Sequence, residues 1–149
     1  MTKGSIILVL DCGGGTVDIT VSKLKCSPNE AFLSEEVLPS SGGCEWGSKY
    51  VDMNFEKFLQ VFFDPPIFDY YIKNASSRFE ILQHFELLTK KFIPDSNSGY
   101  RLQLSYLSEC LNTKKLKDLT EKYNKKVDKK YQVQVKGSSC IYLSKDLEI

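Results

Sequence analysis

The sequence predicts an α/β or α+β chain, with a three-stranded meander and a helix followed by a mostly helical region. Three observations predict it. β-branched or alternating runs occupy the first forty residues with short links between them. Apolar stripes at helical spacing take over from Val51 onward. Glycine and proline clusters fall between these runs and not inside them.

The first strand is expected over 5–10, Ser-Ile-Ile-Leu-Val-Leu, a continuous apolar run of the kind buried on both faces. Asp11-Cys12-Gly13-Gly14-Gly15 ends it, because three glycines make a tight turn more readily than a strand. The second strand is expected over 16–24. There Val17, Ile19 and Val21 alternate with Thr16, Asp18, Thr20 and Ser22, giving one apolar and one polar face. A third strand is expected over 31–38, and residues 40–47 read as a second glycine-rich loop.

A helix with Ser48 as N-cap then carries Val51, Phe55, Phe58, Leu59 and Phe62 on one face. Pro65-Pro66 stops that helix or begins the next. A further helix is expected from Ser77, where Ser77-Arg78-Phe79-Glu80 fits a capping box. Its apolar stripe reads Phe79, Leu82, Phe85, Leu88 and Phe92. Residues 100–104 suit a strand, 108–126 a lysine-rich helix with Leu116, Leu119, Tyr123 and Val127 inward, and 131–135 with 140–143 a hairpin.

The chain's 149 residues suit one domain. With 42% hydrophobic and 26% charged residues, it can bury a core and is not expected to be disordered. A net charge of +1 offers no electrostatic case for nucleic acid or a membrane surface. No apolar run approaches the roughly 18 residues of a membrane span, and the run ending at Leu10 is too short for a signal peptide. Five cysteines without a C-x-x-C pair point away from zinc, towards free thiols in a reducing compartment such as the cytoplasm.

The chemistry concentrates in Asp11-Cys12-Gly13-Gly14-Gly15-Thr16-Val17-Asp18. Without Cβ atoms, Gly13, Gly14 and Gly15 let the backbone approach a bulky anion, with N–H groups turned towards phosphate oxygens. Asp11 ends one strand, while Thr16 and Asp18 share a face of the next. Two carboxylates beside a polyphosphate need a cation between them, and Mg²⁺ prefers oxygen ligands and keeps its waters. Mg²⁺–ATP is the consistent ligand, with Asp11 and Asp18 acting through the metal or its waters, or orienting an attacking water. The Walker pattern is absent, and so is the dinucleotide fingerprint. A plain glycine hairpin with two surface aspartates fits the same spacing.

At these residues the chain resembles the second phosphate motif of DnaK-type chaperones, actins and sugar kinases: an apolar strand, D-x-G-G-G-T-x-D, and another apolar strand. Residues 41–52, with Phe55-Glu56-Lys57-Phe58-Leu59, look like the loop and helix that follow. Their wording is closest to the twelve-type branch of the 70-kilodalton heat-shock family. Phe85-Glu86-Leu87-Leu88-Thr89-Lys90-Lys91-Phe92 resembles that family's adenosine-side helix more loosely.

The resemblance implies a partial actin-like, ribonuclease H-like ATPase lobe, with a phosphate-binding part over 1–63 and an adenosine-side subdomain over 64–149. It implies phosphate contacts from Gly13, Gly14, Gly15, Thr16 and Gly43, catalytic and water-mediated metal roles for Asp11 and Asp18, and adenosine contacts from Glu86 and Lys90. Thr89 stands where the family usually has Lys. Family members carry an earlier lobe with its own phosphate loop and a catalytic lysine. The expectation is therefore a fragment that binds ATP and Mg²⁺ less well than a two-lobed clamp and turns over poorly. The alternatives are a nucleotide-free module that meets a protein partner through an exposed lobe interface, and a truncated product without an independent role.

Four other features invite a role. Eight lysines face three acids between 114 and 130, the pattern of a solvated helix face. His84 is expected to be an ordinary helix residue, Trp46 to pack, and Cys12 to be a small buried hydrophobe.

Overall fold

A computed structural model describes residues 3–25, 34–44, 47–91 and 99–144, with the backbone alone for 34–36 and 38–44. The chain divides into two units, Met1–Asn54 and Phe55–Ile149. The described elements are mixed antiparallel sheets and helices, an α+β chain.

In the first unit, β1 (Ile6–Cys12), β2 (Val17–Leu24) and β3 (Ser34–Cys44) form an antiparallel meander in the order β1-β2-β3. β1 and β2 pair without a slip from Ile6↔Lys23 to Cys12↔Val17. β3 runs on to Cys44, through most of what the sequence suggested was a loop. Its register against β2 shifts three times between Val17 and Ser22, so one extra residue within Gly42-Gly43, one within Pro39-Ser40 and Val37 are absorbed as bulges. Residues 31–33 of the expected third strand lie outside the described residues.

β1 is not the doubly buried strand its composition suggests. It sits at the sheet edge, with Ile6 68%, Leu8 64% and Leu10 55% exposed. An apolar run records only that a strand tolerates burial; covering it takes another layer. α1 (Ser48–Phe62) starts at its expected cap, so Ser48 is its first helical residue and Gly47 precedes it. The division between the two units falls within this helix.

In the second unit, the last turns of α1 bury Phe55, Phe58, Leu59 and Phe62. Asp64 caps α2 (Pro65–Lys73), accepting the Ile67 N–H, and Pro65-Pro66 occupy its first two positions. α3 (Ala75–Thr89) begins before the expected Ser77. Asn74 is its cap, with Oδ1 accepting the Ser77 N–H at 2.9 Å. Ser77 is buried instead, and its hydroxyl donates to the Tyr106 carbonyl at 2.7 Å. The buried stripe is therefore Ser77, Ile81 and Phe85. Phe79, expected inside, is 61% exposed, because two residues turn roughly 200° about a helix. Phe92 lies outside the described residues.

β4 (Tyr100–Gln103) precedes a 3₁₀ turn (Ser105–Leu107) and α4 (Thr113–Asn124), which is capped by Asn112. α4 is shorter than the expected 108–126. It buries Leu116, Leu119 and Tyr123, while Val127 falls beyond its end. A second 3₁₀ turn (Lys129–Tyr131) leads to β5 (Gln134–Val135) and β6 (Cys140–Leu143), the late hairpin. β6 is central in a second antiparallel sheet ordered β4-β6-β5, with Leu102 opposite Ile141.

The core of this unit is dense. Phe55 and Phe85 stack with ring centroids 3.8 Å apart, and Tyr123 meets Phe58 and Phe62 edge-on. Tyr71 is fully buried and donates its hydroxyl to Glu56 Oε1, which also accepts from Arg78 Nε at 2.8 Å. Burial, and then the Glu56 charge, push the Tyr71 phenol well above its ordinary value. Asn124 holds the Val133 backbone at both ends, donating to its carbonyl and accepting its N–H.

Candidate functional site

The hairpin between β1 and β2 carries the phosphate-type motif. Its four-residue turn is closed by the Gly13 N–H, which donates to the Thr16 carbonyl at 2.9 Å. Gly13, Gly14, Gly15 and Thr16 are all exposed, so the bend is open to a ligand. The same bond removes Gly13 from the amides that the sequence offered to an anion. Among the described residues, the amides of Gly14 and Gly15 have no backbone acceptor.

Asp11 lies directly opposite Asp18 in the β1–β2 register. Directly opposed residues of an antiparallel pair project to one face, so both carboxylates stand on the same side of the sheet beside the glycine bend. Asp11 is exposed, Asp18 is half-buried, and Thr16 Oγ1 donates to Asp18 Oδ2 at 3.2 Å. Like charges so placed repel each other. The donor set is two carboxylates and a hydroxyl, hard oxygens of the kind Mg²⁺ takes. These residues therefore fit a hydrated magnesium ion.

A second chain segment closes on the bend. The Lys49 N–H, in the first turn of α1, donates to the Gly14 carbonyl at 2.9 Å. Gly47, just before α1, is buried against the Gly14–Gly15 peptide. A Cβ on Gly47 would stand 2.5 Å from both C and O of Gly14 and 2.6 Å from C of Gly15. Sequence reasoning gave Gly47 and Lys49 no role. The available signal was a glycine immediately before a helix, a position where close backbone approach is common.

The remaining expected site residues are placed as follows. Gly43 lies in β3 beside Cys44, whose backbone pairs with Val17 at the hairpin end of the sheet. Glu86 and Lys90 belong to the second unit, where they form an exposed ion pair across one turn at the end of α3. Trp46 lies outside the described residues. Cys12 is exposed, not buried, because it sits at the end of the edge strand β1. His84 is half-buried, and its Nδ1 accepts the Gln103 N–H at 3.3 Å, so it serves packing of α3 on β4. A cleft of about 490 Å³ in the second unit is lined by Asn124, Lys129, Lys130 and Tyr142 among others, and no expected site residue lines it.

Comparison with known proteins gives three similarities. Heat shock 70 kDa protein 12A from Homo sapiens is 31% identical over 107 residues, covering 71% of this chain and 15% of that protein. The Mus musculus protein of the same name gives the same figures. Heat shock 70 kDa protein 12B from Homo sapiens is 42% identical over 59 residues, or 40% of this chain and 8% of that protein. The chain thus matches about 15% of the length of its 12A relatives. No family model matches, and no solved structure matches. Over part of its length the chain is similar to the twelve-type branch of the 70-kilodalton heat-shock family.

Proposed function

We propose that this chain binds the phosphates of Mg²⁺–ATP at the β1–β2 hairpin. One observation carries the reading: Asp11 and Asp18 face each other across the strands beside an exposed triple-glycine bend. An opposed pair of carboxylates costs a hairpin stability, and a bound cation reverses the sign of that interaction. The similarity to the twelve-type heat-shock proteins supports it.

In this reading the amides of Gly14, Gly15 and Thr16 hold phosphate oxygens, and Gly43 lines the same end of the sheet. Asp11 and Asp18 would hold the ion through its waters, or orient an attacking water. Magnesium supplies charge neutralisation at the phosphates. The assignment of Glu86 and Lys90 to adenosine rests on the family resemblance alone, and in the second unit the two residues pair with each other. ATPase chemistry is the inherited reaction, and chaperone-like work its setting. No helix among the described residues is long and apolar enough to cross a membrane. Among the described residues the free thiols of Cys12, Cys110 and Cys140 support a reducing compartment, and in this reading that compartment is the cytoplasm.

Titration of the chain with Mg²⁺–ATP tests this. Saturable binding should weaken at least about tenfold in Asp18→Ala and in Gly14→Val. Equal affinity in all three proteins, or no saturable binding by the unsubstituted chain, would sink the proposal.

A second reading is a nucleotide-free module that meets a protein partner through β1, favoured by the exposed Ile6, Leu8, Val9 and Leu10 on a strand that is at the sheet edge among the described residues. Light scattering separates the two: a clean monomer that captures nothing and binds Mg²⁺–ATP excludes the second.

A further inference from the structure

We propose that Gly47 and the backbone amide of Lys49 are positioning elements for the phosphate loop: together they hold the Gly14–Gly15 peptide so that the Gly15 N–H is presented to the bound anion. This rests on the phosphate reading above and names the parts that set its geometry.

The Gly14 carbonyl is anchored on α1 by the Lys49 N–H. No cis peptide occurs among the described residues, and in a trans peptide the C=O and the following N–H point in opposite directions. Anchoring the Gly14 carbonyl on α1 therefore aims the Gly15 N–H away from α1, out of the bend. The bond draws on a donor the helix does not use, because first-turn amides have no partner within their own helix. The Lys49 side chain is exposed and takes no part in this bond.

Gly47 makes the approach possible. The atoms that its missing Cβ would meet are Gly14 C and O and Gly15 C, all backbone, with no flexible side-chain end to swing aside. On the other side of the turn, the bond from the Gly13 N–H to the Thr16 carbonyl pins the chain. The Gly14–Gly15 peptide is thus held from both sides, and its donor direction is set before any ligand arrives. Preorganised donors of this kind need no reorganisation on binding. Any side chain at 47 would push the peptide off α1 and turn the Gly15 N–H with it.

The test uses Gly47→Ala, Lys49→Pro and Lys49→Ala. Proline at 49 deletes the amide together with the lysine charge, at the second helix position, where α2 already carries Pro66. Alanine at 49 keeps the amide and removes the charge. Mg²⁺–ATP affinity is measured by calorimetry, and the Gly15 amide resonance of nucleotide-free protein by ¹⁵N–¹H NMR. Gly47→Ala and Lys49→Pro should each weaken binding about tenfold and displace the Gly15 resonance, while Lys49→Ala does neither. If Gly47→Ala fails to fold, Lys49→Pro decides. Full affinity in Lys49→Pro with an unmoved Gly15 resonance overturns the assignment and leaves the phosphate reading standing. An equal loss in Lys49→Ala and Lys49→Pro makes it a side-chain charge effect and also overturns it. If the unsubstituted chain fails to bind Mg²⁺–ATP, both fall together.

Discussion

Leu8 and Leu59 are the same side chain in opposite circumstances. Leu8, in β1 of the first unit, is 64% exposed, while Leu59, in the second, is fully buried. The pair stands for a wider contrast. Among the described residues of the first unit, Leu24 is the only buried large hydrophobe, whereas the second unit buries a continuous set from Phe55 to Leu143. The candidate site and the packed core are thus separated along the chain. The glycine bend, the opposed aspartates and an apolar edge lie in a lightly packed meander. The aromatic stacks and the part-buried Tyr71–Glu56 bond lie in a densely packed core. An open loop with unspent amides suits a ligand and contributes little to folding.

The largest test of this contrast is a matched pair of truncations. Phe85→Ala removes a ring stacked on Phe55 and should cost about 3–5 kcal/mol in urea denaturation. Leu8→Ala should stay within about 0.5 kcal/mol, because its side chain is in water already. Similar costs for the two would erase the distinction between the units. Next in size is Tyr71→Phe, which leaves Glu56 to Arg78 alone and should cost about 1–3 kcal/mol by the same measurement.

Asp11→Asn sharpens the contrast from the other side. Relieving the opposed carboxylates should stabilise the hairpin by about 0.2–1 kcal/mol while weakening Mg²⁺–ATP binding. A residue whose replacement improves folding and harms binding marks a site kept for function; losses in both would count against that view.

The smallest expected effect concerns pH and His84. Burial first, then the charges of Arg101 and Lys91, hold its imidazole below the ordinary value. The unfolded chain takes up a proton near pH 6.5, and the folded chain only at lower pH. Stability should therefore decline as pH falls from about 6.5 through the lowered folded value. His84→Gln should flatten that slope in denaturation curves taken on either side of pH 6.5.

Much of the fold was legible before any coordinates. Strand alternation marked β2, the phenylalanine spacing marked α1, Pro65-Pro66 marked the start of α2, and the late hairpin was legible to within a few residues. Errors gathered where a local signal had two solutions. Asn74 and Ser77 can both cap a helix, and Asn74 does so; the stripe that packs runs through Ser77, Ile81 and Phe85, which leaves Phe79 outward. Ser40 to Gly43 read as a loop because glycine and serine favour turns, yet bulges let the same residues follow β2. The apolar run of β1 predicts burial, although burial is not a property of one strand.

The sequence alone determined the elements and the motif: hydrophobic period, cap and turn chemistry act within a few residues and can be read locally. It also located Asp11, the three glycines and Asp18. Tertiary structure alone decided that Gly47 lies against the Gly14–Gly15 peptide, that the Lys49 amide takes the Gly14 carbonyl, and that β1 stays uncovered. Each of these joins groups far apart in sequence, or depends on the presence of a covering layer. Such long-range contacts are fixed by how the elements pack against one another, which no local pattern encodes.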